Sequence, residues 1–142
     1  MMQYKNHRFY WEGISFQIPE GFFFDPVEGC DVLNTIRLFA PDDSFALELR
    51  IEEDCVGSEA ELASVIHDLE PTLVYPIAPL TINGLQGHHA TYRCRRTQYY
   101  EAWLDIGEET ALSLIIETRG DILNVGTAAV LAAVDPMLRG GT

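Results

Sequence analysis

Three strand-like runs follow one another with no helix between them: residues 85–96, 99–106 and 110–118, joined by Thr97-Gln98 and by Gly107-Glu108-Glu109. Connections this short permit antiparallel pairing only, because parallel neighbours need a crossover of a dozen residues or more. The second half of the chain is therefore expected to be an antiparallel meander. Asn83-Gly84, a pair suited to tight hairpin turns, folds a further short run, Leu80-Thr81-Ile82, back onto the first of these strands.

The first half shows the same habit. Phe45, Leu47, Leu49 and Ile51 alternate with Ala46, Glu48, Arg50 and Glu52, the period of a strand with one face on a core. Residues 35–40 precede it across Pro41-Asp42-Asp43-Ser44, a run of turn formers, so 35–40 and 45–53 read as a hairpin. Ile14, Phe16 and Ile18 alternate with Ser15 and Gln17 as another strand, with residues 7–11 as its partner. Phe22-Phe23-Phe24-Asp25-Pro26 has no period and reads as an aromatic loop.

Helical spacing occurs twice. Leu62, Val65, Ile66 and Leu69 stand at i, i+3, i+4 and i+7. Ser58-Glu59-Ala60-Glu61 before them reads as a capping box, with Ser58 as N-cap, and Pro71 ends the helix. A second helix is expected over residues 122–134, capped by Asp121 and stopped at Asp135-Pro136. Strands, helix, strands, helix make an α+β fold: an antiparallel sheet of hairpins plus a three-stranded meander, with helices packed on it. At 142 residues, without repeat or linker, one domain over 1–142 is expected.

Charge narrows the choice of partner. The 22 acids outweigh 9 bases for a formal net charge of −13, a field that repels nucleic acid and anionic membrane. Ten of those acids fall within residues 42–70, where Arg50 is the sole base. The start of the chain has no apolar run of signal-peptide length (~7–15 residues), and no stretch reaches the ~18 apolar residues of a membrane span; a cytoplasmic protein is expected. Cys30, Cys55 and Cys94 are odd in number and widely spaced, which predicts reduced structural thiols rather than disulfides or zinc ligands.

The opening Ile14-Ser15-Phe16-Gln17-Ile18-Pro19-Glu20-Gly21-Phe22, the hairpin and helix that follow, Ile82-Asn83-Gly84 entering the meander, and the C-terminal helix resemble the Mog1/PsbP-like fold and the related DcrB-type family of unknown function. The resemblance spans residues 9–138, with Phe22 standing where a tryptophan is expected. It implies an α/β/α sandwich and a binding module: Mog1 proteins bind a Ran GTPase, PsbP proteins attach to photosystem II, and Eag-type chaperones hold apolar helices. It carries no shared catalytic motif.

Chemistry is sparse along the chain. His88 and His89 are neighbours on a strand and point to opposite faces, so they do not share an ion. The acidic pairs lie at turns and lack calcium-loop spacing, and no nucleophile elbow, Walker motif or dinucleotide fingerprint occurs. No catalytic, metal-binding or cofactor-binding residue is assigned. Two groups point to partner binding instead: the aromatics Phe22, Phe23 and Phe24, and a polar-aromatic patch of Arg93, Arg95, Tyr99 and Trp103, the composition enriched at interface anchors. In the competing structural reading of that patch, the second helix buries Trp103 and the arginines pair with Glu101 and with acids of the first half.

These residues predict a non-catalytic interaction or chaperone-like module that binds a protein partner, or a second copy of itself, through a sheet face or the aromatic loop. The alternative is a small-molecule binder or small enzyme with a groove between sheet and helix, where Arg93, Arg95, Tyr99 or His89 would hold a carboxylate.

Overall fold

The computed structural model describes residues 3–5, 8–11, 14–17, 23–24, 30–31, 35–39, 45–82 and 84–119. Strands β1 (Gln3–Lys5), β2 (Arg8–Trp11) and β3 (Ile14–Gln17) form a small antiparallel sheet in that order. The main sheet contains β4 (Phe23–Phe24), β5 (Cys30–Asp31), β6 (Thr35–Phe39), β7 (Phe45–Glu52), β8 (Leu73–Val74), β9 (Ala78–Ile82), β10 (Leu85–Cys94), β11 (Thr97–Gly107) and β12 (Thr110–Arg119). Its order is β4-β6-β7-β12-β11-β10-β8, with β5 on β6 and β9 on β10, and every pairing is antiparallel. The expected α+β class, the hairpin β6–β7 and the meander β10–β11–β12 are all present. The expected second helix, residues 122–134, lies outside the described residues.

Strand period decides which face is apolar. Leu47, Leu49 and Ile51 of β7 pair with Ile116, Leu114 and Leu112 of β12, and the last two continue onto Ala102 and Leu104 of β11. All eight are at most 4% exposed. On the opposite face Ala90, Tyr92, Trp103 and Ala111 form a second cluster with Cys55, Leu62 and Ile66. The latter two belong to α1 (Ser58–Leu69), which packs across β10 and β11. Gly87 of β10 permits close strand packing there: a Cβ at this position would stand 1.8 Å from the Trp103 carbonyl oxygen.

The helix starts differently from the capping-box expectation. Gly57 is the N-cap, at φ 155, and no side chain caps the first turn. Glu61 N–H donates to the Gly57 carbonyl at 3.0 Å, while its carboxylate accepts from Val56 N–H at 3.0 Å rather than from Ser58. Ser58 is instead the first helical residue and lies four positions before Leu62 and eight before Ile66, on the buried stripe. Glu70, in the left-handed conformation, and Pro71 end the helix as expected. No helix among the described residues is long and apolar enough to cross a membrane. Cys55 and Cys94 are free, and burial raises both thiols above their ordinary range.

Candidate functional site

The polar-aromatic patch expected around the β10–β11 turn does not assemble. β10 ends at Cys94 and β11 starts at Thr97, so the turn is Arg95-Arg96, with Arg95 at φ 57, and not Thr97-Gln98. A two-residue turn pairs odd positions of one strand with even positions of the other: Arg93 faces Gln98, and Tyr92 faces Tyr99. Arg93 therefore lies on one face of the sheet while Tyr99, Glu101 and Trp103 lie on the other. Arg95 and Arg96, both exposed, belong to the hairpin tip.

Trp103 is core, only 6% exposed, in a cluster that includes Leu62 and Ile66 of α1. Its indole N–H donates to Glu101 at 2.7 Å, and the Tyr92 hydroxyl donates to the other Glu101 oxygen at 2.6 Å. These neutral donors, not the expected arginines, accompany the 1%-exposed carboxyl. Burial pushes the Glu101 carboxyl above the usual carboxylate range, the two donors and the more distant Arg50 opposing the shift. Tyr99 stacks on Tyr92, centroids 5.2 Å apart and planes at 18°. Phe23 and Phe24 are a short strand on β6, opposite Phe39 and Leu38, where a loop was expected; aromatic residues favour such pairing. Phe22 lies outside the described residues.

One polar constellation was not foreseen. Ser58 Oγ lies 2.8 Å from His88 Nδ1 and 3.1 Å from Asp105 Oδ2, and His88 Nε2 lies 3.5 Å from Glu59. A hydroxyl has one proton to give. With that proton on Asp105, the His88 tautomer carrying hydrogen on Nδ1 completes the contact to the serine oxygen. Ser58 is only 3% exposed. The constellation ties the start of α1 to β10 and β11. Its signal in the sequence was the helical spacing, which places Ser58 on the Leu62–Ile66 stripe, where a polar group requires partners.

The surface beside it is concave. A cavity of about 560 Å³ opens between Ser58, Glu59, Ala60 and Ala63 of α1 and His88 and Asp105 of the sheet. A second, of about 360 Å³, lies between Ala63 and Ile66 and the residues Val74, Tyr75, Pro76 and Ile77. Ala63 lines both, so they are adjoining stretches of one open groove between the helix and the sheet edge. Next to its apolar end Leu69, Leu73, Val74 and Tyr75 are 43–48% exposed. Among the described residues no arginine lines this groove, and His89 faces away from it, bonded to the Tyr100 hydroxyl at 2.9 Å, so the residues named for carboxylate binding do not converge on it. Among the described residues no group of three or more His, Cys, Asp or Glu is placed to hold a metal ion.

A twisted antiparallel sheet with a helix across its last strands is the architecture of the Mog1/PsbP-like fold, and solved structures agree. The chain superposes on the Ran-binding protein Mog1p of Saccharomyces cerevisiae with a TM-score of 0.62 and 12% identity, over 92% of this chain and 89% of that one. A Mog1 mutant gives 0.64 at 12% identity, over 94% and 92%. A protein from Bacteroides thetaiotaomicron VPI-5482 gives 0.57 at 11% identity, over 94% of this chain and 46% of that one. No protein-family model and no curated protein sequence matches the chain.

Proposed function

We propose that this chain is a non-catalytic protein-interaction module whose partner docks at the sheet edge between α1 and β8. The observation that supports this is the pair of large apolar side chains Val74 and Tyr75, both more than 40% exposed and lining the open groove, with exposed Leu69 at the end of α1; Leu73, opposite Arg93, lies on the other face of the sheet. Single exposed apolar residues are ordinary, whereas a contiguous group marks a contact site. Pro71 and Pro76 bracket β8 and have no N–H to offer, which leaves only a short edge for an added strand. Mog1p, which shares the fold, is by name a Ran-binding protein; the likeness favours an interaction role without naming the partner of this chain.

The test is affinity capture from the native cell with quantitative mass spectrometry, comparing wild type, Val74→Asp/Tyr75→Asp and Phe23→Asp. The expected result is a partner retained by wild type and by Phe23→Asp and depleted about tenfold or more with the double variant, as loss of an interface anchor of about 1.4 kcal/mol or more implies. Equal capture by the double variant, or nothing above background with wild type, contradicts the proposal.

A further inference from the structure

We infer that the groove along α1 takes a peptide segment that is basic at one end and apolar at the other, its cation between Glu59 and Asp105 and its apolar side chains among Ile66, Val74 and Tyr75. The inference rests on the interaction reading above and adds the chemistry of the occupant and its direction.

The two ends of the groove differ in charge. Around the start of α1 the chain brings together Glu53, Asp54, Glu59, Glu61, Asp105 and Glu109. Cys55 N–H donates to the Glu109 carbonyl at 2.9 Å, and Glu61, Glu52 and Asp105 all raise the Cys55 thiol. No lysine or arginine occurs in residues 51–92 or 97–118, so the described neighbourhood of this end offers these acids no basic side chain other than His88. Asp105 receives one hydrogen bond, from Ser58, and Glu59 stands 70% exposed over His88. Both carboxylates thus keep acceptor capacity directed to the cavity they line.

At the far end Asp68 and Glu70 are exposed on the last turn of α1 and just after it, with His67 Nδ1 3.5 Å from Asp68, and neither acid lines the groove. Apart from His67 the wall there is apolar, made by Ala63, Ile66, Val74, Tyr75, Pro76 and Ile77. Complementarity therefore points a cation toward the start of α1 and apolar side chains toward its end.

The helix gives the scale. Glu59 and His67, which mark the two ends, are eight residues apart, about 12 Å at 1.5 Å per residue. An extended peptide covers that with three or four residues at ~3.3 Å each. The small exposed side chains of Ala60 and Ala63 leave the middle free for its backbone.

The experiment pans a random linear peptide library displayed on phage against the intact chain. The selected peptides, labelled with fluorescein, are then titrated by fluorescence anisotropy. The expected winners carry Lys or Arg three or four positions from Leu, Met, Phe or Trp. Ala63→Arg, which fills the shared wall, should abolish binding. Glu59→Gln/Asp105→Asn should weaken it about fivefold, the effect of about 1 kcal/mol expected of an exposed charge contact, and flatten its salt dependence. Circular dichroism confirms that each variant is folded. Winners without a cation, affinity unchanged in the neutralised variant, or no enriched sequence would overturn this inference. The interaction reading falls separately, if the Val74→Asp/Tyr75→Asp variant captures the same cellular proteins as wild type.

Discussion

One face of the main sheet has two halves that differ in what covers them. Over β10 and β11, α1 lies on Ala90, Tyr92 and Trp103, and the buried carboxyl of Glu101 is 1% exposed and bonded by neutral donors. Over β7 and β12, among the described residues, the same face shows Glu48, Arg50, Glu52 and Glu117, with Arg37 of β6. There the charges pair with each other: Arg37 with Glu117 at 3.4 Å, Arg50 with Glu48 at 2.9 Å and with Glu52 at 3.6 Å. A hollow of about 30 Å³ beside Arg37 and Glu117 admits about one water. The difference shows that polar residues on a strand face become either a solvated ion-pair ladder or a buried network, depending on whether a helix crosses them. The groove follows from that boundary, because it runs along the outer flank of α1.

Substitutions in the two halves should separate accordingly. Leu62→Ala removes a fully buried side chain between α1 and the sheet and should cost about 2–5 kcal/mol in chemical denaturation. A loss below about 1 kcal/mol would mean that the helix is not packed as described. Tyr92→Phe deletes one of the two donors to Glu101 and should cost about 1.5–3 kcal/mol, the range for a hydrogen bond to a charged group. Ser58→Ala unties α1 from His88 and Asp105 and should cost about 1 kcal/mol. Arg37→Ala, in the ion-paired half, breaks a one-third-exposed pair and should stay within about 1 kcal/mol. An Arg37 effect as large as that of Leu62 would erase the distinction between the halves.

The halves also differ in how they respond to pH. Folded Glu101 holds its proton to a higher pH than the unfolded chain, since burial raises its carboxyl. Between the ordinary glutamate value of about 4.3 and that raised value, the folded state binds more protons, so stability falls as pH rises through this window. Denaturation midpoints measured across it should be flatter in Glu101→Gln than in wild type. A parallel pair of curves would contradict the assignment.

Legibility in the sequence followed the same boundary. The alternation of Leu47, Leu49 and Ile51 with Glu48 and Arg50 gave strand, face and hairpin correctly, because period two is a local property of the chain. The meander was legible for the same reason. The patch built from Arg93 and Tyr99 does not form, because any two-residue turn, at 95–96 as at 97–98, pairs odd with even positions and so puts Arg93 and Tyr99 on opposite faces. Ser58 was read as a cap because Ser-x-x-Glu fits that motif; its partners His88 and Asp105 are 30 and 47 residues away. A groove between sheet and helix was expected only as the setting of the small-molecule alternative, and its lining was not legible, since its walls come from α1, from residues 74–77 and from β10 and β11, which meet only in three dimensions.

The central claim is that a partner docks at the α1–β8 edge and not on the ion-paired half of the sheet. Photocrosslinking in the native cell tests it most directly, with a photoreactive phenylalanine analogue placed at Tyr75 in one strain and at Glu117 in another. The account predicts a discrete protein adduct from position 75 and none from position 117. Adducts from position 117 alone, or from neither position, would contradict it.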